Sequence, residues 1–222
     1  MHLAYRLLRA FVITFFRVFS HYEVVGLENV PRGGPLIVAT NHIHTLDSPA
    51  VMAAISLQIT TFAARKWEHH WKGVLLRWAG VIFVSRGEVD RQALRQALAV
   101  LKSGGVLGMA PEGTRSKTYQ LQSGRGGIAY LAHAAQPAIL PVATTGVEHV
   151  LPALRRGRRA RVRVTIGQPF RLPVLDHRPR PDELVQQADI VMRRIAALLP
   201  REYQGVYAEE AAPQQRTAAP RD

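Results

Sequence analysis

The chain has 222 residues, 47% of them hydrophobic, which suits one domain around one buried core and excludes a disordered segment. It contains no cysteine, so disulfides, thiolate nucleophiles and cysteine-ligated metals are excluded, and a reducing compartment fits. Lys and Arg number 29 against 16 Asp and Glu, a net charge of +13 that favours phosphate-bearing partners: nucleic acid, an anionic membrane or a phosphorylated small molecule.

The first element, YRLLRAFVITFFRVFS, reads as an amphipathic helix over residues 1–22. At helical spacing Arg6, Arg9, Arg17 and Ser20 share one side, and Leu7, Leu8, Phe11, Phe15, Val18 and Phe19 cover most of the rest. Its uninterrupted apolar run is Ala10 to Phe16, short of the roughly 20 residues a bilayer span needs. The pattern suits a helix lying in a membrane interface or one packed on the core. A cleaved signal peptide fits less well, because no small-residue site precedes the strand-like HYEVVG.

Strands and helices then alternate from residue 23 to 203. LIVAT is a strand, PAVMAAISL a helix opened by Pro49, and TTFAARK a strand. KGVLLRWAG is a helix ended by Gly80, followed by strand VIFVSR, helix VDRQALRQALAVLKSG and strand GVLGMAPEG. GGIAYLAHAAQ and AILPVATTG repeat the alternation, RARVRVTIG suits a strand with one exposed face, and DELVQQADIVMRRIAALL closes the domain as a helix. This order predicts an α/β fold, a largely parallel mixed sheet covered by helices on both faces. From Gln204 the sequence is polar and punctuated by proline, and a mobile tail is expected over 204–222.

In such sheets sites form where strands end and helices begin. His42 would end the strand LIVAT and Asp47 would precede the helix, so the carboxylate could orient the imidazole as a general base. The spacing alone is a weak signal. FVSRG, APEGTRS and AILPVATTG lie at the same end of the sheet: Arg86 and Arg115 could grip an anion, Gly113 admits close approach, Thr114 offers a hydroxyl, and Pro141 breaks an apolar strand. Glu112 could touch substrate or bond backbone amides at its turn.

Taken together, NHIHTLD, GVIFVSRG, PEGTRS and PAILPV resemble, in order and separation, the four motif blocks of the glycerolipid acyltransferase family, from about Val25 to about Phe170. The resemblance implies a glycerol-phosphate acyltransferase-like fold in which His42 is the base and Asp47 its partner. It implies phosphate binding by Arg86, Glu112, Gly113, Thr114 and Arg115, and site-shaping or secondary roles for Asn41, Arg125 and Pro141. It also implies transfer of a fatty acyl group from acyl-CoA or acyl carrier protein to the free hydroxyl of 1-acyl-glycerol-3-phosphate, giving phosphatidic acid, with no metal or other cofactor. Three positions depart from the pattern: Ser85 stands where many relatives carry aspartate, Ala110 replaces a bulky aromatic, and His44 replaces serine or glutamine. Without cysteine or a G-x-S-x-G elbow, direct transfer is simpler than an acyl-enzyme.

The same chemistry on a lyso-ornithine lipid or glycolipid is an alternative, as is a non-enzymatic basic nucleic-acid or membrane-binding module. LRRGRRARVRV could contact phosphates, although no nucleic-acid module is recognisable and no nucleic acid is expected as a partner. His69 and His70 beside Glu68 diverge on a helix and lack a third metal ligand at suitable spacing. Trp67, Trp71 and Trp78, near Lys66, Lys72 and Arg77, suit core packing or a membrane interface. With the N-terminal helix they predict a peripheral membrane protein on the cytoplasmic face of the cell membrane.

Overall fold

A computed structural model describes residues 2–85 and 90–208. Among the described residues seven strands form one sheet in the order β1-β7-β6-β2-β5-β3-β4. These are β1 (Ser20–Val25), β2 (Leu36–Thr40), β3 (Ile59–Ala64), β4 (Val81–Val84), β5 (Val106–Met109), β6 (Ala138–Thr145) and β7 (Ala160–Ile166). From β6 to β4 every pairing is parallel, β7 returns antiparallel on β6, and β1 pairs parallel with β7 at the edge. The expected largely parallel mixed sheet is therefore the architecture observed. Central β2 is buried at all five positions, which explains its unbroken apolar run, whereas Arg161 and Arg163 on β7 alternate outward between buried Val162 and Val164.

The helices divide between the two faces. On one lie α1 (Leu3–Phe19), α2 (Asp47–Ala54) and α6 (Val150–Leu154), whose Phe16, Val51 and Val150 join Val38, Leu140 and Val164 in one apolar cluster. On the other lie α4 (Arg91–Lys102), α5 (Gly127–Ala135) and α7 (Pro181–Ala196), with Ala97, Leu131 and Val191 packed on Ile37, Leu107 and Ile139. The short α3 (Trp71–Trp78) follows β3 and touches α1.

Two expected boundaries move. The N-terminal helix is not a separate appendage, because Tyr5 and Phe16 are fully buried. Arg9 turns inward from the presumed polar side: its Nε donates to the carbonyls of Met52 (3.0 Å) and Ile55 (3.2 Å), and Nη2 to that of Ala53 (3.0 Å). That guanidinium satisfies the open carbonyls at the end of α2. Strand β1 begins at Ser20, inside the segment assigned to the helix. At the other end, the expected mobile tail does not start at Gln204. Its amide donates to Ala196 and Leu199 at 3.1 and 2.9 Å, closing the end of α7, and Tyr207 is buried in the core. Residues 209–222 lie outside the described part.

Candidate active site

The chain leaves β2 at Thr40 and enters α2 at Asp47, two residues before the start expected at Pro49. The intervening turn is organised by one carboxylate. Asp47 is fully buried, and its Oδ2 accepts the backbone N–H groups of Ile43 and His44, each at 2.8 Å. The same oxygen lies 3.1 Å from Nδ1 of His42. A carboxylate accepts only, so Nδ1 carries the proton and Nε2 is left as the basic nitrogen. The other oxygen, Oδ1, accepts the hydroxyl of Thr144 at 3.0 Å. Thr144 is the last residue but one of β6, beside β2, and is itself held by Asn41: Thr144 N–H donates to Asn41 Oδ1 (2.8 Å) and Asn41 Nδ2 donates to the Thr144 carbonyl (2.9 Å). The Thr144 hydroxyl also lies 3.2 Å from Asn41 Oδ1, but its single proton goes to the charged and nearer acceptor.

A second segment grips the backbone of His42 from both sides. The His42 N–H donates to Glu112 Oε1 (2.8 Å), and its carbonyl accepts from Ser116 N–H (2.8 Å). Glu112 Oε2 accepts from Gln122 N–H at 3.1 Å. Of the two roles left open for Glu112, this geometry is the backbone-bonding one: the side chain is buried and both carboxylate oxygens accept backbone N–H groups. Burial pushes its carboxyl up to about 7, against the lowering pull of the two N–H donors.

Gly113 has a positive φ of 68°, and a Cβ there would come within 2.9 Å of Arg125 Cδ, so glycine lets the arginine stem lie across the turn. Arg125 consequently borders the cavity described next, whereas Thr114 and Arg115 do not line it. Arg115 is exposed on the loop between Gly113 and Ser116. Arg86 lies outside the described residues. Pro141 sits within β6 opposite Ala39, and its carbonyl accepts from Gly167 N–H at 2.9 Å. Its missing N–H faces the same side, where the β7 ladder has already ended, so the strand tolerates it. It is buried and stands away from the cavity lining. His44 has a structural place, its Nδ1 accepting from Leu46 N–H at 3.3 Å.

His42 opens onto a cavity of about 610 Å³ that runs beneath α1 and α3, with Val12, Val38, Met52, Phe62, Leu76 and Leu94 among its walls. That volume lies within the roughly 300–1,000 Å³ of sites that enclose small molecules. Ala110 lines it where a bulky aromatic was expected from the family pattern. Asp90 also borders it, and its carboxylate caps α4 through Gln92 and Ala93 and accepts Ser85 N–H at 3.0 Å. Those N–H donors, Ser85 first, hold its carboxyl below the usual range. A carboxylate thus meets residue 85 from five positions downstream. Among the described residues no three His, Asp or Glu side chains cluster as metal ligands.

The sequence model described as Acyltransferase matches residues 21–145, more than half of the chain and inclusive of His42, Asp47, the Glu112–Arg115 segment and Thr144. The chain belongs to the acyltransferase family. It is similar to the 1-acyl-sn-glycerol-3-phosphate acyltransferase of Bacillus subtilis, at 24% identity over 79% of this chain and 87% of that protein. It is also similar to a probable 1-acyl-sn-glycerol-3-phosphate acyltransferase of Mycoplasma pneumoniae, at 25% identity over 70% of this chain and 60% of that one. The fold is shared with the crystal structure of the 1-acyl-sn-glycerophosphate acyltransferase of Thermotoga maritima, with a TM-score of 0.66 and 24% identity over 87% of this chain and 79% of that one. Membership sets aside the non-enzymatic reading of the basic surface, since the protein is an acyltransferase enzyme.

The structure brings together His42, Asp47 and Asn41, which the motif reading named, and adds Thr144, Ser116, Gln122 and Asp90, which it did not. Thr144 had a faint signal: a hydroxyl residue at the end of an otherwise apolar strand, at the sheet end that carries His42. Ser116 and Gln122 act through backbone N–H groups, which any residue but proline supplies, so no residue type marked them.

Proposed function

We propose that this acyltransferase moves a fatty acyl group from acyl-CoA or acyl carrier protein to the free hydroxyl of 1-acyl-glycerol-3-phosphate, giving phosphatidic acid. The observation that carries the reading is a carboxylate-held imidazole opening onto an apolar cavity. His42 Nε2 takes the proton of the acceptor hydroxyl as that oxygen attacks the thioester carbon. The C–S bond breaks as the tetrahedral centre collapses, and the imidazolium returns its proton to the departing thiolate. Asp47 stabilises the imidazolium, so no proton leaves the site and no metal or cofactor takes part. A positioned base contributes about a hundred- to ten-thousand-fold.

The cavity takes the acyl chain, and Ala110 leaves it room. The acceptor phosphate meets the Arg125 guanidinium at the mouth, with Arg115 on the neighbouring loop; Arg86, assigned to the phosphate by its motif, lies outside the described residues. Positioning the hydroxyl rather than water beside His42 is the second contribution to rate. Substrate enters from a bilayer. On α1, Leu3, Leu7 and Phe11 point outward and are more than 60% exposed, and on the adjoining α3 Trp71, Val74, Leu75 and Trp78 form an exposed stripe at helical spacing. Among the described residues no helix is long and apolar enough to cross a membrane. The exposed apolar faces of α1 and α3 support a peripheral enzyme on the membrane surface, which we assign to the cytoplasmic face.

A different acceptor has one observation in its favour. Beyond Arg125 an open hollow is walled by Thr118, Gln120, Gln122 and Ser123, polar groups suited to a sugar or ornithine headgroup. Offering the purified protein a panel of lysolipids with labelled acyl-CoA or acyl carrier protein, and weighing the products, decides between them. Product from 1-acyl-glycerol-3-phosphate alone supports the main reading, and product only from lyso-ornithine lipid or glycolipid overturns it.

A further inference from the structure

The short connection between β6 and β7 has no part in the chemistry above. Helix α6 packs Val150 and Ala153 inward, on the same sheet face as α1 and α2. It leaves Leu151 and Leu154 exposed, one turn apart. The next residues are Arg155, Arg156, Gly157, Arg158 and Arg159, all exposed. They form a closed turn rather than a loose loop. Arg155 N–H donates to Leu151 (3.2 Å), Arg156 and Arg158 N–H both donate to Ala153 (2.9 Å each), and Gly157 takes a φ of 63°. A Cβ at Gly157 would meet nothing within 4 Å, so the tip of the turn stands clear of the body. Arg159 points back, donating to the carbonyls of Arg17 and Ser20 at the end of α1. The turn is thereby tied to the helix whose outward face is apolar.

Three facts about this turn coincide. It presents two exposed leucines and three exposed arginines within eight residues. It lies on the sheet face that carries α1, and α3 adjoins α1. It also joins the C-terminal end of β6 to the start of β7, which is the sheet end that carries His42. The remaining arginines of the run, Arg161 and Arg163, alternate with Val162 and Val164 and so point to the opposite face, where Arg163 pairs with Glu23 at 2.9 Å.

We propose that the α6 turn, through Leu151, Leu154, Arg155, Arg156 and Arg158, is a second lipid-contact point that binds the anionic headgroups of a bilayer and fixes which end of the enzyme faces it. The inference rests on the bilayer reading of α1 and α3 and deepens it. Apolar contact through α1 and α3 alone leaves the enzyme free to rotate on the membrane surface, because apolar burial is non-directional. A charged third point at the catalytic end removes that freedom and sets the headgroup layer beside His42. An acidic carrier protein would also be attracted by three arginines, but it has no need of two exposed leucines beside them. A bilayer engages all of them at once.

The test compares Arg155→Gln/Arg156→Gln/Arg158→Gln with a control that loses the same charge from other exposed positions, Arg95→Gln/Lys102→Gln/Arg178→Gln. Each full-length protein is co-floated with vesicles of phosphatidylcholine, with and without phosphatidylglycerol. A basic side chain at an anionic surface is worth about fivefold in partition at low salt, so the triple variant is expected to bind the anionic vesicles on the order of a hundredfold more weakly. The control and a triple Arg→Lys variant should bind like the parent, and binding to neutral vesicles should change little. Equal losses in the control, or unchanged binding of the triple variant, would overturn the proposal. So would unchanged vesicle binding with loss of transfer only from acyl carrier protein, which would give the turn to the carrier. Vesicle binding is read without turnover, so failure of wild-type protein to acylate any lysolipid would refute the substrate assignment and leave this result standing.

Discussion

Replacing Thr144 with valine keeps the shape of the side chain and deletes the one hydroxyl that reaches Asp47 Oδ1. In the folded enzyme that oxygen is fully buried and accepts the hydroxyl at 3.0 Å. A hydrogen bond to a charged group is worth about 1.5–3 kcal/mol, and the deletion leaves a buried acceptor unsatisfied. The thermal midpoint should therefore fall by roughly 3–12 °C, at about 2–4 °C per kcal/mol for a domain of this size. The effect on chemistry is separate. With Oδ1 released, the carboxylate is held through Oδ2 alone and fixes Nδ1 of His42 less tightly, so kcat should fall about ten- to hundredfold at temperatures where the variant is fully folded. The KM for the acyl donor should hold, because Thr144 does not line the cavity. Thr144→Ser restores the hydroxyl and should recover most of kcat while remaining somewhat less stable for want of the methyl. Steady-state kinetics with circular dichroism on the three proteins measures all of this. A Val variant with parental kcat, or a Ser variant no faster than Val, would refute the positioning role even if both melted early.

Other expectations follow from the same geometry. His42→Ala should lower kcat by about a hundred- to ten-thousand-fold with the fold intact by circular dichroism, and undiminished turnover would remove the base assignment. Arg125→Gln should raise the KM for the phosphorylated acceptor by at least tenfold with a smaller change in kcat, and Arg115→Ala should act the same way more weakly, since it stands off the cavity wall; a reversed order in acceptor titrations would return the phosphate to Arg115. Glu112 supplies a pH test. Its folded value of about 7 lies above the ordinary 4.5, so its contribution to stability is fully present below the lower value and is lost as pH rises through the higher one. Across that window the parent should lose on the order of 3 kcal/mol relative to Glu112→Gln, which cannot titrate. Urea midpoints at pH 5 and pH 8 check it, and a constant difference between the two proteins would contradict the assignment.

Much of this molecule is written in periodicity. LIVAT and AILPVATT are apolar throughout because both faces of the central strands are covered, and RARVRVTI alternates because only one face of β7 is packed against helices. Those patterns carried the fold class and the succession of most βα units along the chain, but not the order of strands in the sheet. They could not carry the ends of the chain. Gln204 and Tyr207 pack through one amide and one ring in a segment with no repeat, and such contacts leave no mark on hydropathy. The site was legible where a side chain's chemistry is rare and illegible where the backbone does the work. His42, Asp47 and Arg125 are distinctive groups, whereas the N–H groups of Ser116 and Gln122 that lock the His42 turn and Glu112 are anonymous.

The N-terminal helix shows why two readings of one pattern can both be physical. Its apolar residues exceed what one face can hold: Tyr5, Val12 and Phe16 are buried, while Leu3, Leu7, Phe11 and Val18 stay outward. An element that only packed on the core would carry polar residues on that outer arc, and one that only lay on a membrane would not bury a tyrosine hydroxyl between the carbonyl of Leu57 and the N–H of Ile59. A helix with two apolar faces is a coupling, because the same 17 residues form a wall of the cavity beneath them through Leu8 and Val12. Whatever the outer face touches therefore lies one helix diameter, about 10 Å, from the space beneath His42. On the proposed membrane reading, an acyl chain passing from a bilayer to this site would need to cross only that thickness.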